Sequence, residues 1–169
     1  MATLNPGETL QPLQSLQNRL IFDPWGNLVG VQNDHATGSD MRIARTDAVT
    51  VSATAATGTV NFDALTQPVV YYTTDASANW TLNIRGNSSV SLNSMMVTGQ
   101  ALTVTHLVTQ GATAYYASAV TIDGGAITPK WQGSAPSAGN VNNVDAYTFT
   151  VIKTADATFT VFASQVGFA

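Results

Sequence analysis

Tyr147-Thr148-Phe149-Thr150-Val151-Ile152, followed shortly by Phe159-Thr160-Val161-Phe162, is the stretch that decides the class of fold. A large apolar residue takes every second position and threonine fills most of the others. Successive side chains of a strand point to opposite faces, so this spacing predicts half-buried antiparallel strands with a neutral second face. The same alternation recurs upstream. Val49 and Val51 alternate with Thr50 and Ser52, and Val60 and Phe62 with Thr59 and Asn61. Trp80, Leu82 and Ile84 alternate with Thr81, Asn83 and Arg85. Leu102, Val104, His106 and Val108 alternate with Thr103, Thr105, Leu107 and Thr109. Turn-forming clusters separate the runs: Thr57-Gly58, Gly86-Asn87-Ser88, Gln110-Gly111, Asp123-Gly124-Gly125 and the stretch 134–143. About eight to ten short strands at this spacing predict an all-β antiparallel sandwich or jelly roll. Trp80, Phe149 and Phe159 are its expected structural anchors.

Two segments depart from the pattern. Leu92, Met95 and Met96, with Gly99 after them, predict a helix of one or two turns within 91–99. Leu20-Ile21-Phe22-Asp23 and Asn27-Leu28-Val29-Gly30-Val31 flank Pro24-Trp25-Gly26 and predict a hairpin. Residues 1–18 are rich in Gln and Leu and lack the Thr-Val alternation. They read as an attachment arm, with 19–169 as the β-domain. Leu10, Leu13, Leu16 and Leu20 offer apolar side chains with little local core to receive them, so a partner surface is their expected seat. The tolerant glutamines between them also admit a short helix over Gln11–Arg19. No tandem repeat of solenoid or propeller length is evident.

Composition excludes several functions. Of 169 residues only 9% are charged, where about 25% is usual. Lys plus Arg is 6 and Asp plus Glu is 10, a net charge of −4. The basic footprint of a nucleic-acid binder or of a polybasic membrane patch is missing. No apolar run has the length of a membrane span, and no export signal is recognised, so neither membrane nor nucleic acid is an expected partner. There is no cysteine, which removes disulfides, thiolate metal sites and thiol nucleophiles. Neutral exposed faces suit packing against other copies or other proteins, so a homo-oligomer is expected.

Candidate chemistry is sparse. His106 falls on an apolar strand face and reads as a core residue. His35 lies in a polar loop beside Asp34, with Asp40 near, and no nucleophile motif accompanies it. Asp34, Gly38 and Asp40 lack the spacing of a calcium loop. With Glu8 the only glutamate, a paired-carboxylate glycosidase would need two aspartates that nothing in the chain selects. The sequons at Asn79-Trp80-Thr81 and Asn87-Ser88-Ser89 read as chance matches in a chain rich in Asn and Thr. No catalytic residue, metal site or cofactor is expected. Tyr72, Tyr116 and Trp131 are the candidates for surface recognition, since such rings stack on sugars as well as on subunits. Trp131, between Pro129 and Gly133, also reads as a strand end pinned into the core, with Lys130 at the surface beside it.

From about Gly58 to Ala169 the chain resembles a domain of virion structural proteins of tailed bacteriophages, notably those infecting marine cyanobacteria. The residues carrying the resemblance are Gly58-Thr59-Val60-Asn61-Phe62-Asp63, Val70-Tyr71-Tyr72-Thr73-Thr74, Leu107-Val108-Thr109-Gln110-Gly111, Thr128-Pro129-Lys130-Trp131-Gln132-Gly133 and Phe159-Thr160-Val161-Phe162-Ala163-Ser164. The block Pro129 to Gly133 is the most specific. The resemblance implies a non-enzymatic part of the virion, with other virion proteins of capsid or tail as partners. A capsid decoration or knob protein is the first expectation. A tail-fibre, adaptor or tip protein contacting a host-surface glycan is the second, and a carbohydrate-binding module or hydrolase is the remote one. Analogy with virion-surface proteins favours a trimer.

Overall fold

Alternating apolar and threonine-rich runs fold here into two sheets packed face to face. The computed structural model describes residues 48–169 in full and the backbone of 19–22 and 28–32. In chain order the elements are β1 (Arg19–Phe22), β2 (Leu28–Gln32), β3 (Val49–Ala55), β4 (Gly58–Asp63), β5 (Val69–Thr74), β6 (Trp80–Arg85), α1 (Leu92–Met95), β7 (Ala101–Thr109), β8 (Ala117–Ile122), β9 (Gly125–Ile127), β10 (Lys130–Trp131), β11 (Val144–Ala155) and β12 (Thr158–Phe168). By contact the chain divides into two units, Met1–Arg45 and Thr46–Ala169. The β1–β2 hairpin, antiparallel as expected, belongs to the first of them. A boundary at residue 19 would have grouped it with the sandwich. Leu10, Leu13 and Leu16, the candidate arm helix, and the His35 loop with Asp34 and Asp40 lie outside the described residues.

The second unit is an all-β sandwich. One sheet runs β10-β12-β11-β7-β5-β3 and the other β4-β6-β8-β9. Its strands are mixed in direction, where the sequence predicted antiparallel pairing. The pairs β3–β5, β5–β7, β4–β6, β6–β8 and β10–β12 are parallel. Antiparallel pairing is confined to β7–β11, β11–β12 and β8–β9. A period of two marks a half-buried strand and is the same for either direction, so the pattern could not tell them apart.

The parallel pairs reveal a repeat. β3 with β4, β5 with β6, and β7 with β8 are three stacked rungs. Each rung puts its first strand in the six-stranded sheet and its second in the four-stranded one. Register partners Val49 and Val69, then Gly58 and Trp80, set offsets of 69 − 49 = 20 and 80 − 58 = 22 residues. Between the second and third rungs, Val69–Thr105 and Trp80–Ala117 give 105 − 69 = 36 and 117 − 80 = 37. Most of the excess lies in the connection 86–100, which carries α1. These unequal offsets conceal the repeat, and stacked positions share only apolar character: Val60, Leu82 and Val120 in one column, Phe62, Ile84 and Ile122 in the next.

These columns face the core. Phe62, Leu82, Ile84, Val104, Val108, Phe149 and Val151 are fully buried between the sheets. Val49 and Val51 are not: both are exposed on the edge strand β3. The expected short helix is present. Ser91 caps α1 through Ser94 N, and Leu92 and Met96 insert into the core. Asp123 and Gly124 hold φ of 50° and 81° in the β8–β9 turn, a conformation that Asp and Gly reach at low cost.

Candidate functional site

A cluster of polar aromatic rings lies in the core. Strand pairing sets Val70, His106 and Tyr147 in one row across β5, β7 and β11, and Trp80 meets that row from the facing sheet. Ring centroids of Trp80 and His106 lie 5.8 Å apart, those of Trp80 and Tyr147 5.7 Å, both edge-on. Tyr72 meets His106 edge-on at 5.4 Å. Both His106 nitrogens, Trp80 Nε1 and the Tyr147 hydroxyl are buried and reach no hydrogen-bond partner. Burial therefore drives the His106 pKa down to about 3. It drives Tyr147 up, helped by the Asp145 charge, while the nearby Ala117 backbone opposes part of the rise. An imidazole in this state is neutral at physiological pH and too weak a base for proton transfer there. His106 is a core residue, as its strand position predicted.

The two buried charged side chains, Asp145 and Lys153, are engaged in holding loops. Asp145, fully buried, accepts from Gln110 Nε2 at 3.0 Å, Asn140 N at 3.2 Å and Asn140 Nδ2 at 2.5 Å. Gln110 also clasps both the amide and the carbonyl of Tyr115. Gly139 passes so close that a Cβ would strike the Tyr115 carbonyl. These contacts fasten the 132–143 loop to the sheet. Lys153 Nζ donates to Asn93 O at 2.6 Å and Met96 O at 2.9 Å, closing the C-terminal end of α1. The Asp123 carboxylate accepts from Leu92 N and Asn93 N at its start. Asn93 in turn binds Asp156 and Ala157 in the β11–β12 turn. Among the described residues no three metal-ligating side chains gather, and no helix is long and apolar enough to cross a membrane.

The three recognition candidates separate. Tyr72 and Tyr116 pack against the core near the Trp80–His106–Tyr147 cluster, and Tyr116 N is held by Asn79 Oδ1. Trp131 stands apart on β10. Its ring meets Phe149 edge-on at 5.8 Å, so it is half-buried and tied to the core. Trp80 and Phe149 are buried anchors, whereas Phe159 only leans on the core.

Trp131 borders two recesses. One, of about 300 Å³, opens between β8–β9 and the stretch Thr128–Pro136, with Val120, Ile127 and Pro129 in its wall. The other, of about 410 Å³, lies on the outer face of the six-stranded sheet among Thr148, Thr150, Phe162 and Ser164. There the exposed Lys130 ammonium sits 5.6 Å from the Phe162 ring centre.

The two outer faces of the sandwich differ. On the four-stranded sheet, Asn83 Nδ2 donates to Asn61 Oδ1, and Asn83 Oδ1 accepts from Thr121 and from Gly124 N. Arg85 pairs with Asp63 at 2.6 Å beside them, which raises the arginine pKa further. That face satisfies its own polar groups. The outer face of the six-stranded sheet has no charge on β3, β5, β7, β11 or β12 and carries exposed Phe162, Val166 and Phe168. Period-two alternation predicted its threonines but not these large apolar residues, which occupy the threonine face of their own strand. Compared with protein-family models, with curated proteins and with solved structures, the chain matches none.

Proposed function

We propose that this chain is a non-enzymatic structural subunit of a tailed-phage virion, most simply a decoration or knob protein on the capsid exterior. The observation that carries this reading is the outer face of the six-stranded sheet, which is free of charge on β3, β5, β7, β11 and β12, on a domain whose buried charged groups, Asp145 and Lys153, are engaged in fastening loops. The resemblance of residues 58–169 supports the same reading. Its most specific block, Pro129 to Gly133, includes β10 on the sheet edge and Trp131 between the two recesses. In this role the chain works as a homo-oligomer alongside other virion proteins, and residues 1–18, with Leu20 following, form the grip.

A second reading, a fibre, adaptor or tip protein, is favoured by one observation. Three stacked parallel rungs are a form of construction that extends along an axis by adding further rungs. Trp131 and its recesses would then offer a host-surface glycan a ring to stack on. A cryo-electron microscopy map of the particle separates the readings by copy number. Hundreds of copies on the shell support decoration, a dozen or so on the tail support the fibre reading, and absence from the particle refutes both.

A further inference from the structure

We propose that the outer face of the six-stranded sheet docks a second copy of this chain, sheet against sheet, about a two-fold axis. Strand register aligns Val51, Tyr71, Leu107, Ala146 and Val166 in a single transverse row across five strands. No polar residue other than the tyrosine interrupts it. The neighbouring row, Val69, Thr105, Thr148 and Ser164, is neutral, and Thr103 and Thr150 share a hydrogen bond across strands at 3.2 Å. Val51 is 64% exposed, Val166 52% and Phe168 59%, so no other element of the sandwich unit covers this apolar surface.

Three features select a second copy as the occupant. First, β3, β5, β7, β11 and β12 put no charge on this face, and its one charged side chain among the described strands, Lys130 on the edge strand β10, rests over the Phe162 ring, so two copies meet across the five strands without like-charge repulsion. Second, the area fits. Five strands at about 4.8 Å by nine residues at about 3.3 Å give roughly 700 Å², close to the ~800 Å² per partner of a stable complex. Third, the face carries both knobs and a hollow. Val166 and Phe168 stand proud at one end of β12, and the recess of about 410 Å³ at Phe162 lies nearer the other. A two-fold contact presents each to its counterpart, because every patch is used once from each side. This pairing replaces the trimer expected by analogy. It does not depend on the virion reading, since it concerns the isolated protein.

The test is sedimentation of the full-length chain at micromolar concentration. A dimer is expected. The exposed-site variant V166K/F168K should weaken it about tenfold or more in Kd, because each added charge is desolvated against an apolar face. Thr59→Lys, on the opposite face, should leave Kd unchanged, and circular dichroism should show both variants folded. Should V166K/F168K fail to fold, Thr148→Lys at the recess carries the same expectation. A monomer, a trimer, or a dimer indifferent to the charges on β11 and β12 overturns the proposal.

Discussion

His106 sits among Tyr72, Trp80 and Tyr147 with neither nitrogen bonded, and this fixes its response to pH. The unfolded chain takes up a proton as pH falls through about 6.5, but the folded chain does not until about 3. Stability from this residue is therefore undiminished above 6.5. It is lost between 6.5 and 3, by roughly 1–1.5 kcal/mol per pH unit at most. His106→Phe should remove that slope. Urea unfolding at neutral and acid pH checks it: a stability difference between the two proteins that is constant with pH would contradict the account. Trp131 gives a second expectation. Its ring bears on Phe149 while remaining half-exposed, so Trp131→Ala should cost about 3 kcal/mol, the low end for a large aromatic. An unchanged melting temperature would mark it instead as a ligand platform.

At the scale of elements, the column Asn61–Asn83 does in this sandwich what cross-strand pairs do in any sheet, and adds a turn to its task. Asn83 Oδ1 accepts both Thr121 Oγ1 and Gly124 N at 2.9 Å, joining β6 to β8 and to the β8–β9 turn. Asn83→Val keeps strand propensity but orphans these donors. A loss of about 1–3 kcal/mol is expected from chemical denaturation. Thr81→Val, on the same strand and face without those bonds, should cost less. Equal losses would mean that strand packing, not the ladder, carries the stability. The helix α1 shows the same economy of means. It is a single turn, too short to persist alone, and Asp123, Lys153 and Ser91 hold its two ends.

The whole molecule divides at residue 45, and the sandwich unit contains its own core. Residues 46–169 expressed alone should give a strand-dominated circular dichroism spectrum and one cooperative unfolding transition. A helix-dominated or unfolded spectrum would show that the first unit is needed for folding. Deleting residues 1–18 tests the attachment reading. Each leucine contributes about 1.5–3 kcal/mol when buried in a partner, and ordering the segment costs entropy, so several must act together. The truncated protein should remain folded and no longer join particles. Normal occupancy on particles would assign attachment to the β-domain.

Local sequence by itself determined most of the strands, the inward faces of all of those but the edge strand β3, and the helix. Those depend on side-chain period, caps and turn residues, all written within a few positions. Trp80, Phe149 and His106 could be placed in the core from the alternation alone. The turn at Asp156 and Ala157 is not legible in the sequence because alanine rarely adopts the φ of 47° seen there, and Asn93, distant in sequence, supplies the bond that supports it. Tertiary structure decided strand direction, the three-rung stack and which apolar residues remain outside. Direction leaves no mark on a period of two. The rungs are separated by 20 to 22 residues in one case and 36 to 37 in the other, so register, not sequence spacing, aligns them. Val51 looks like a core residue until the sheet order puts it on the outer face of the sandwich, where the large Phe162, Val166 and Phe168 join it from the threonine face of β12. Burial is a property of what packs opposite a side chain, and that neighbour lies far along the chain or in another molecule.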